Sequence, residues 1–394
     1  MSSNIGPEAQ AAYSKYLDAE RLEEKIKRLE EFISLVPKHK ATEKIVALNK
    51  SRLAKLKREL EDRKKRSSTA QIVSPFSIKK EGTQLILISA YYSPGVGKTS
   101  LLNYLTGAAK DQIGRYTPKP EIGVYKYEKI RFQVVDMPPL MENASKGVAN
   151  GKEILSQLRA CDLILICVDL SRNIEYQMDL ILTELNNADI RINVEEPPID
   201  VEKTGANKIQ IFYLTSEAKE NIELTDKIKE IIYESGLRNA MVKIYGDITL
   251  NDLVDALNPA VVYKKAMIIG TKGDLSYTEE SFEKLEELYS DKFPIIIGSS
   301  VQKAEFPDDF GESVLNFLNK IKIFTMNNGI VADKPLLMDK DHAKVRDVAR
   351  KIHKSFVEKF DYALIIRKGA RQEKKRVGLD YELQDEDIIE LHTI

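Results

Sequence analysis

The run Gly95, Val96, Gly97, Lys98, Thr99 and Ser100 places two glycines, a lysine and two hydroxyls in consecutive positions. Glycines let successive backbone N–H groups converge on one anion, a lysine ammonium suits the outer oxygens of a polyphosphate, and a hydroxyl beside it suits magnesium. These residues therefore meet the last positions of the template G-x-x-x-x-G-K-[ST]. Counting back along the template, Pro94 falls inside the loop and Tyr92 falls where the first glycine is expected. A tyrosine is strained at positive φ, so the turn that opens the loop must be altered. Taken alone, the same residues would also fit an ordinary strand-to-helix turn.

Three further positions add to this cluster. Asp136 closes the apolar run "IRFQVVD", where a carboxylate could hold magnesium through water. Thr117 lies between Lys98 and that run, placed to offer a second hydroxyl to the metal when a triphosphate is bound. "TKGD", residues 271–274, closes another apolar run. The carboxylate of Asp274 matches the two N–H donors on the edge of guanine, a pair that adenine does not present, and the stem of Lys272 suits the face of the base. Each of these signals is common alone; taken together in this order, with Asp136 and "TKGD" at strand ends, they point to guanine nucleotide with magnesium rather than to ATP.

The elements that must hold these residues are legible as short apolar runs alternating with helical stretches: "QLILISA", "IRFQVVD", "DLILICVDL", "AMIIG" and "FPIIIGSS". That alternation predicts a mostly parallel sheet covered by helices, with ligands at the carboxyl ends of the strands. Before it, helix formers dominate residues 19–66, broken by "LVPKHKAT", which predicts a helical hairpin over 1–66 followed by a linker over 67–82. The α/β domain spans 83–320, and about 190–257 interrupts its alternation with a small inserted α/β module. Residues 321–394 read as a separate α+β domain with one amphipathic helix, "VRDVARKIHKSFVEKF".

Composition bounds the reading. A chain of 394 residues with 43% hydrophobic and 31% charged residues suits a soluble protein of two or three domains. The net charge of −1 hides a basic stretch at 41–66, with ten Lys or Arg against four Asp or Glu, which is either a solvated helix face or a nucleic-acid contact. Cys161 and Cys167 are too few for a disulfide framework or a zinc cluster and lie at or in an apolar run, which fits a reducing cytoplasm. No apolar run approaches the ~20 residues needed to cross a bilayer, so a membrane protein is not expected.

With these motifs in place, the chain resembles the Obg-like GTPases, and within them the developmentally regulated GTP-binding proteins. "MENASKGVANGKEILSQLRACDLILICVDLS" is similar to that family's glycine-rich second switch with its following helix and strand. "RINVEEPPI", "KTG" and "RNAMVKIYGDITLNDLVDAL" resemble the family-specific insertion, and "KIHKSFVEKFDYALI" with "VGLDYELQDEDIIEL" resembles its TGS domain. The resemblance implies a P-loop GTPase domain, an N-terminal helical hairpin and a ubiquitin-like β-grasp TGS domain. It implies Lys98 and Thr99 for phosphates and magnesium, Thr117 for the first switch, Asp136 for magnesium, Thr271, Lys272 and Asp274 for guanine, and Ser299 and Ser300 beside the base. Slow hydrolysis of GTP to GDP follows as the expected activity, with Lys98 and Thr117 in the reaction.

Two positions depart from the family pattern. The second switch normally reads Asp-x-x-Gly, with the glycine N–H on the γ-phosphate, and "DMPP" puts Pro139 there, which has no N–H. Gly95 replaces a polar residue tied in some relatives to potassium, which argues against potassium activation. None of His39, His342, His353 and His392 lies in the nucleotide segment. The resemblance implies a cytoplasmic, monomeric switch docking on the ribosome or RNA through the basic hairpin and the TGS domain, including the basic run "RKGARQEKKR", with a small partner protein. The alternative is a scaffold that binds RNA or protein and keeps nucleotide with little or no hydrolysis.

Overall fold

The computed structural model describes residues 6–19, 22–37, 42–68, 74–91, 95–107, 118–205, 208–294, 296–299, 306–367 and 374–393. The chain divides into two compact units, 1–77 and 78–394.

The first unit holds three helices, α1 (Pro7–Asp18), α2 (Leu22–Leu35) and α3 (Glu43–Ser68), where the sequence predicts a two-helix hairpin. The helix that sequence reading omits, α1, starts on a proline, whose fixed φ and missing N–H suit a first turn. It buries the small residues Ala9 and Ala12 near Leu29 and Phe32, and Tyr13 packs 4.8 Å from Phe32, ring to ring. Alanine contacts give no strong apolar stripe, which is why the periodicity was silent there. In α2, Ile26, Leu29 and Phe32 recur every three residues and form the buried face. Helix α3 runs two residues past Arg66 into the stretch predicted as linker, since Ser67 and Ser68 do not break a helix already formed.

In the second unit the chain runs through β1 (Thr83–Ile88), α4 (Lys98–Thr106), β2 (Glu121–Tyr127), β3 (Ile130–Asp136), α5 (Gly151–Ala160), β4 (Leu163–Asp169), α6 (Ile174–Asn187) and β5 (Ile190–Ile192). An inserted module follows, with β6 (Ile199–Lys203), β7 (Ile209–Tyr213), α7 (Thr225–Glu234), β8 (Ala240–Ile244) and α8 (Leu250–Leu257). The main fold resumes with β9 (Val262–Thr271), α9 (Glu279–Tyr289), β10 (Ile296–Gly298) and α10 (Phe310–Phe317). The main sheet has the order β10-β9-β4-β1-β3-β2, parallel except for the β2–β3 pair. Every residue of β1 and β4 is buried, so both read as continuous apolar runs rather than alternating ones. Strand β5, inside the stretch predicted as insertion, pairs with residues 262–264 of β9 and belongs to this sheet.

The module has its own three-stranded sheet, β6-β8-β7, over a core of Ile228, Ile232, Val242, Ile244 and Leu253. Beyond α10, the β-grasp fold forms from β11 (Lys320–Asn327), β12 (Ile330–Val331), β13 (Leu336–Asp339), α11 (Val345–Ile352), α12 (Ser355–Glu358), β14 (Phe360–Ile366), β15 (Lys375–Val377) and β16 (Ile388–Thr393). Its first strand lies parallel to its last. The single amphipathic helix expected here is two: His353 is extended, with φ −169° and ψ 143°. Its Nδ1 accepts from the Ser355 N–H at 3.1 Å, so the histidine side chain ends one helix and caps the next. Most of "RKGARQEKKR" lies outside the described residues. Among the described residues no helix is long and apolar enough to cross a membrane.

Candidate nucleotide site

The carboxyl ends of β1, β3, β4 and β9 bring Lys98, Thr99, Asp136, Thr271 and Lys272 to one end of the main sheet. Gly97 caps α4 at φ +101°, a conformation that glycine tolerates and L side chains avoid. Lys98 and Thr99 are therefore the first two residues of a helix whose open N–H groups point to the loop side. Lys98 is buried, and its ammonium donates to the Ser89 hydroxyl at 2.7 Å.

Ser89 directly follows β1, three residues before Tyr92. Past Ser89 the pairing continues, with Ala90 bridged in parallel to Leu140 and the Tyr91 N–H donating to Leu140 O at 2.8 Å, so it runs up to the position that the template gives its first glycine. Tyr92 and Pro94 themselves lie outside the described residues, as do Thr117 and Ser300. Gly95 and Ser100 are exposed and Val96 is buried.

Thr99 donates its hydroxyl to Asp136 Oδ2 at 2.6 Å, and Asp136 is fully buried at the end of β3. A hydroxyl and a carboxylate this close are hard oxygen donors of the type that magnesium takes, with water completing its shell. Among the described residues no cluster of three His, Cys, Asp or Glu side chains offers a competing metal site. Cys167, buried in β4, has its thiol pushed up to about 12 by burial, so the free thiol stays protonated near neutral pH.

The segment after Asp136 is bound to residues 89–91, just past β1. Leu140 N–H donates to Ser89 O at 2.8 Å and Tyr91 N–H donates to Leu140 O at 2.8 Å. Pro138 and Pro139 have no N–H, and the next amide is already used. Farther on, Glu184 of α6 accepts from the N–H groups of Asn143 at 2.7 Å and Ser145 at 2.8 Å. Burial pushes this carboxyl up, but the Ser145 and Asn143 hydrogen bonds and the charge of Lys146 outweigh it and hold the pKa below its ordinary value. Gly151 opens α5 where any Cβ would fall inside the backbone of Ala144.

At the other end, Thr271 is buried and its hydroxyl reaches Val96 O at 2.7 Å and Val168 O at 3.1 Å. The side chain at the first position of "TKGD" thereby ties that motif to the phosphate loop. Lys272 stands at φ +62°, and its ammonium meets Asp169 Oδ2 at 2.6 Å. Asp274 and Ser299 line one pocket of about 440 Å³ with Leu170, Thr278 and Phe282. Ser299 is buried, and among the described residues its hydroxyl has no hydrogen-bond partner.

Sequence reading missed Ser89, Asp169 and Glu184. Asp169 had a usable signal, an acid closing an apolar strand run, the same one that marked Asp136. Ser89 and Glu184 had none, because each acts through a partner distant in sequence.

Residues 93–198 match the family described as 50S ribosome-binding GTPase, residues 208–319 the C-terminal region of MMR_HSR1 domain, and residues 321–393 the TGS domain. An uncharacterized GTP-binding protein of Methanocaldococcus jannaschii is 33% identical over 386 residues, covering 94% of this chain and 93% of that one. Developmentally-regulated GTP-binding protein 1 of Xenopus laevis is 29% identical, covering 93% and 98%. Ribosome-interacting GTPase 1 of Saccharomyces cerevisiae is 29% identical, covering 93% and 97%.

Proposed function

The chain belongs to the family of TGS-bearing GTP-binding proteins that includes the developmentally regulated GTP-binding proteins, and on that premise we propose that it binds GTP and GDP with magnesium and hydrolyses GTP slowly at the ribosome. The observation that carries this reading is the hydrogen bond from Thr271 to Val96, which sets a guanine-matching motif beside a phosphate-matching loop. Backbone amides of Gly95, Val96 and Gly97, with Pro94 in the same loop, cradle the phosphates, and Lys98 meets the outer ones. Thr99 and Asp136, with Thr117, hold magnesium, which when bound offsets the charge on the β- and γ-phosphates. Thr271, Lys272 and Asp274 take the base, and Ser299 and Ser300 close beside it.

Water attacking in line would be poorly organised by the second switch, whose proline at 139 cannot donate to the γ-phosphate. This supports slow turnover and makes Lys98 and Thr117 the main contributors. Potassium is not part of the proposal. The ribosome enters from the names of the matching family and of the yeast relative, and the basic stretch 41–66 supplies charge for it. The protein would act in the cytoplasm as a monomer, with a small protein partner. The prolines at 138 and 139 favour one other reading, a scaffold that keeps its nucleotide unhydrolysed.

Equilibrium binding of fluorescent GTP, GDP and ATP with magnesium, then phosphate release on the same sample, tests the proposal. Lys98→Ala should weaken GTP by on the order of a hundredfold, since it removes charge-assisted contacts. Guanine-selective binding with phosphate release supports the GTPase, and binding without release, ribosomes included, supports the scaffold. ATP competing equally would sink both.

A further inference from the structure

We propose that Asp169 is a positioning residue for guanine recognition: it holds Lys272 in the setting from which the lysine stem can lie against the base. The inference rests on reading the site as a guanine-nucleotide pocket. Asp169 is fully buried at the end of β4. One oxygen accepts from the Ser171 N–H at 3.0 Å and the Ser171 hydroxyl at 2.6 Å. The other accepts from Lys272 at 2.6 Å, with Arg172 Nε at 3.7 Å.

The backbone of Asp169 is fixed as firmly as its side chain. Gln177 of α6, itself fully buried, accepts from the Asp169 N–H at 2.9 Å and donates to its carbonyl at 3.0 Å. Asp169 stands opposite Thr271 in the β4–β9 register, and Leu170 N–H donates to Thr271 O. The carboxylate therefore sits on a braced frame that includes the strand carrying "TKGD".

A lysine at φ +62° is held against its own preference, and a carboxylate without solvent is held against its own hydration. Each compensates the other only if the pair forms. Their product is a lysine whose charge is already matched and whose stem is fixed one residue from Gly273 and two from Asp274, both of which line the pocket with Leu170. A purine ring on this site meets a neutral, immobile methylene surface rather than a mobile ammonium. Because the contact is to the base, losing it should weaken GDP and GTP equally.

Asp169→Asn keeps the shape and the Ser171 contacts but removes the charge, and Lys272→Met keeps the stem but removes the ammonium. Titrating the full-length variants and the double variant with fluorescent GDP and GTP should show about tenfold weaker binding for each single change, equal for the two nucleotides. The double variant should be no weaker than either single one. Multiplying losses, or an Asp169→Asn protein that binds normally while its melting temperature falls, would overturn the proposal. Should Asp169→Asn not fold, Lys272→Arg and Lys272→Met decide: arginine, which can keep the ion pair, should retain more affinity, and equal affinities overturn the idea. If the unmodified chain binds no guanine nucleotide, the site reading fails and this inference with it. If it binds and the Asp169 and Lys272 variants match it, only the inference fails.

Discussion

At the base end of the site, Thr271 reaches two carbonyls, Lys272 is matched by a buried acid, and Asp274 faces a pocket. At the end proposed for phosphate, Lys98 meets Ser89 and Thr99 meets Asp136, and the segment after Asp136 carries two prolines and is bonded to Ser89 and Tyr91. On the proposed reading, one end would recognise the base. The other would hold the phosphates but lacks an N–H at 139 that could report the γ-phosphate. The difference teaches that affinity for a nucleotide and response to its hydrolysis are separate demands on a sequence, met by separate residues.

The largest effect should come from breaking the base end. Asp274→Ala removes two charge-assisted contacts, and guanine-nucleotide affinity should fall by on the order of a hundredfold or more, for GDP and GTP alike, in a titration that leaves ATP unchanged. An equal loss for ATP would show that the two ends are not separable.

A smaller effect should come from repairing the phosphate end. Pro139→Gly supplies the missing N–H, and the preference for GTP over GDP should rise by about tenfold, with faster phosphate release. Pro139→Ala restores the donor without glycine's freedom, so a gain with Gly but not with Ala would assign the effect to flexibility.

The smallest effect concerns the anchor of the second switch. The Glu184 carboxyl is held below its ordinary pKa in the folded chain, so its stabilisation is present above the unfolded value of about 4.3 and is lost as pH falls through the folded value. Glu184→Gln should speed hydrogen exchange at Asn143 and Ser145 at neutral pH by up to about tenfold, and the gap from the unmodified chain should close in acid. A gap that persists at low pH would mean that the anchor does not depend on charge.

Much of this molecule was legible because local signals and tertiary roles agree. Five apolar runs became the parallel strands of the main sheet, and the loop and strand-end motifs came together at one end of it. Where reading stopped, the deciding contact was distant or small. Helix α1 packs through alanines, β5 is three residues long, and nothing in "VRDVARKIHKSFVEKF" shows that His353 turns to cap the next helix.

The Thr271 to Val96 hydrogen bond spans 175 residues of chain. At roughly 5 to 20 residues per second, synthesis leaves the phosphate loop waiting about 9 to 35 s for the threonine that fixes it. The inserted module is made entirely within that interval, and its own core draws only on residues between the two. The order of birth is therefore a helical unit first, then the loop that ends in Gly97, then an inserted module, then the strand that brings Thr271 to that loop. A nascent chain shorter than 271 residues is one that has yet to tie the loop at Val96 to the end of β9.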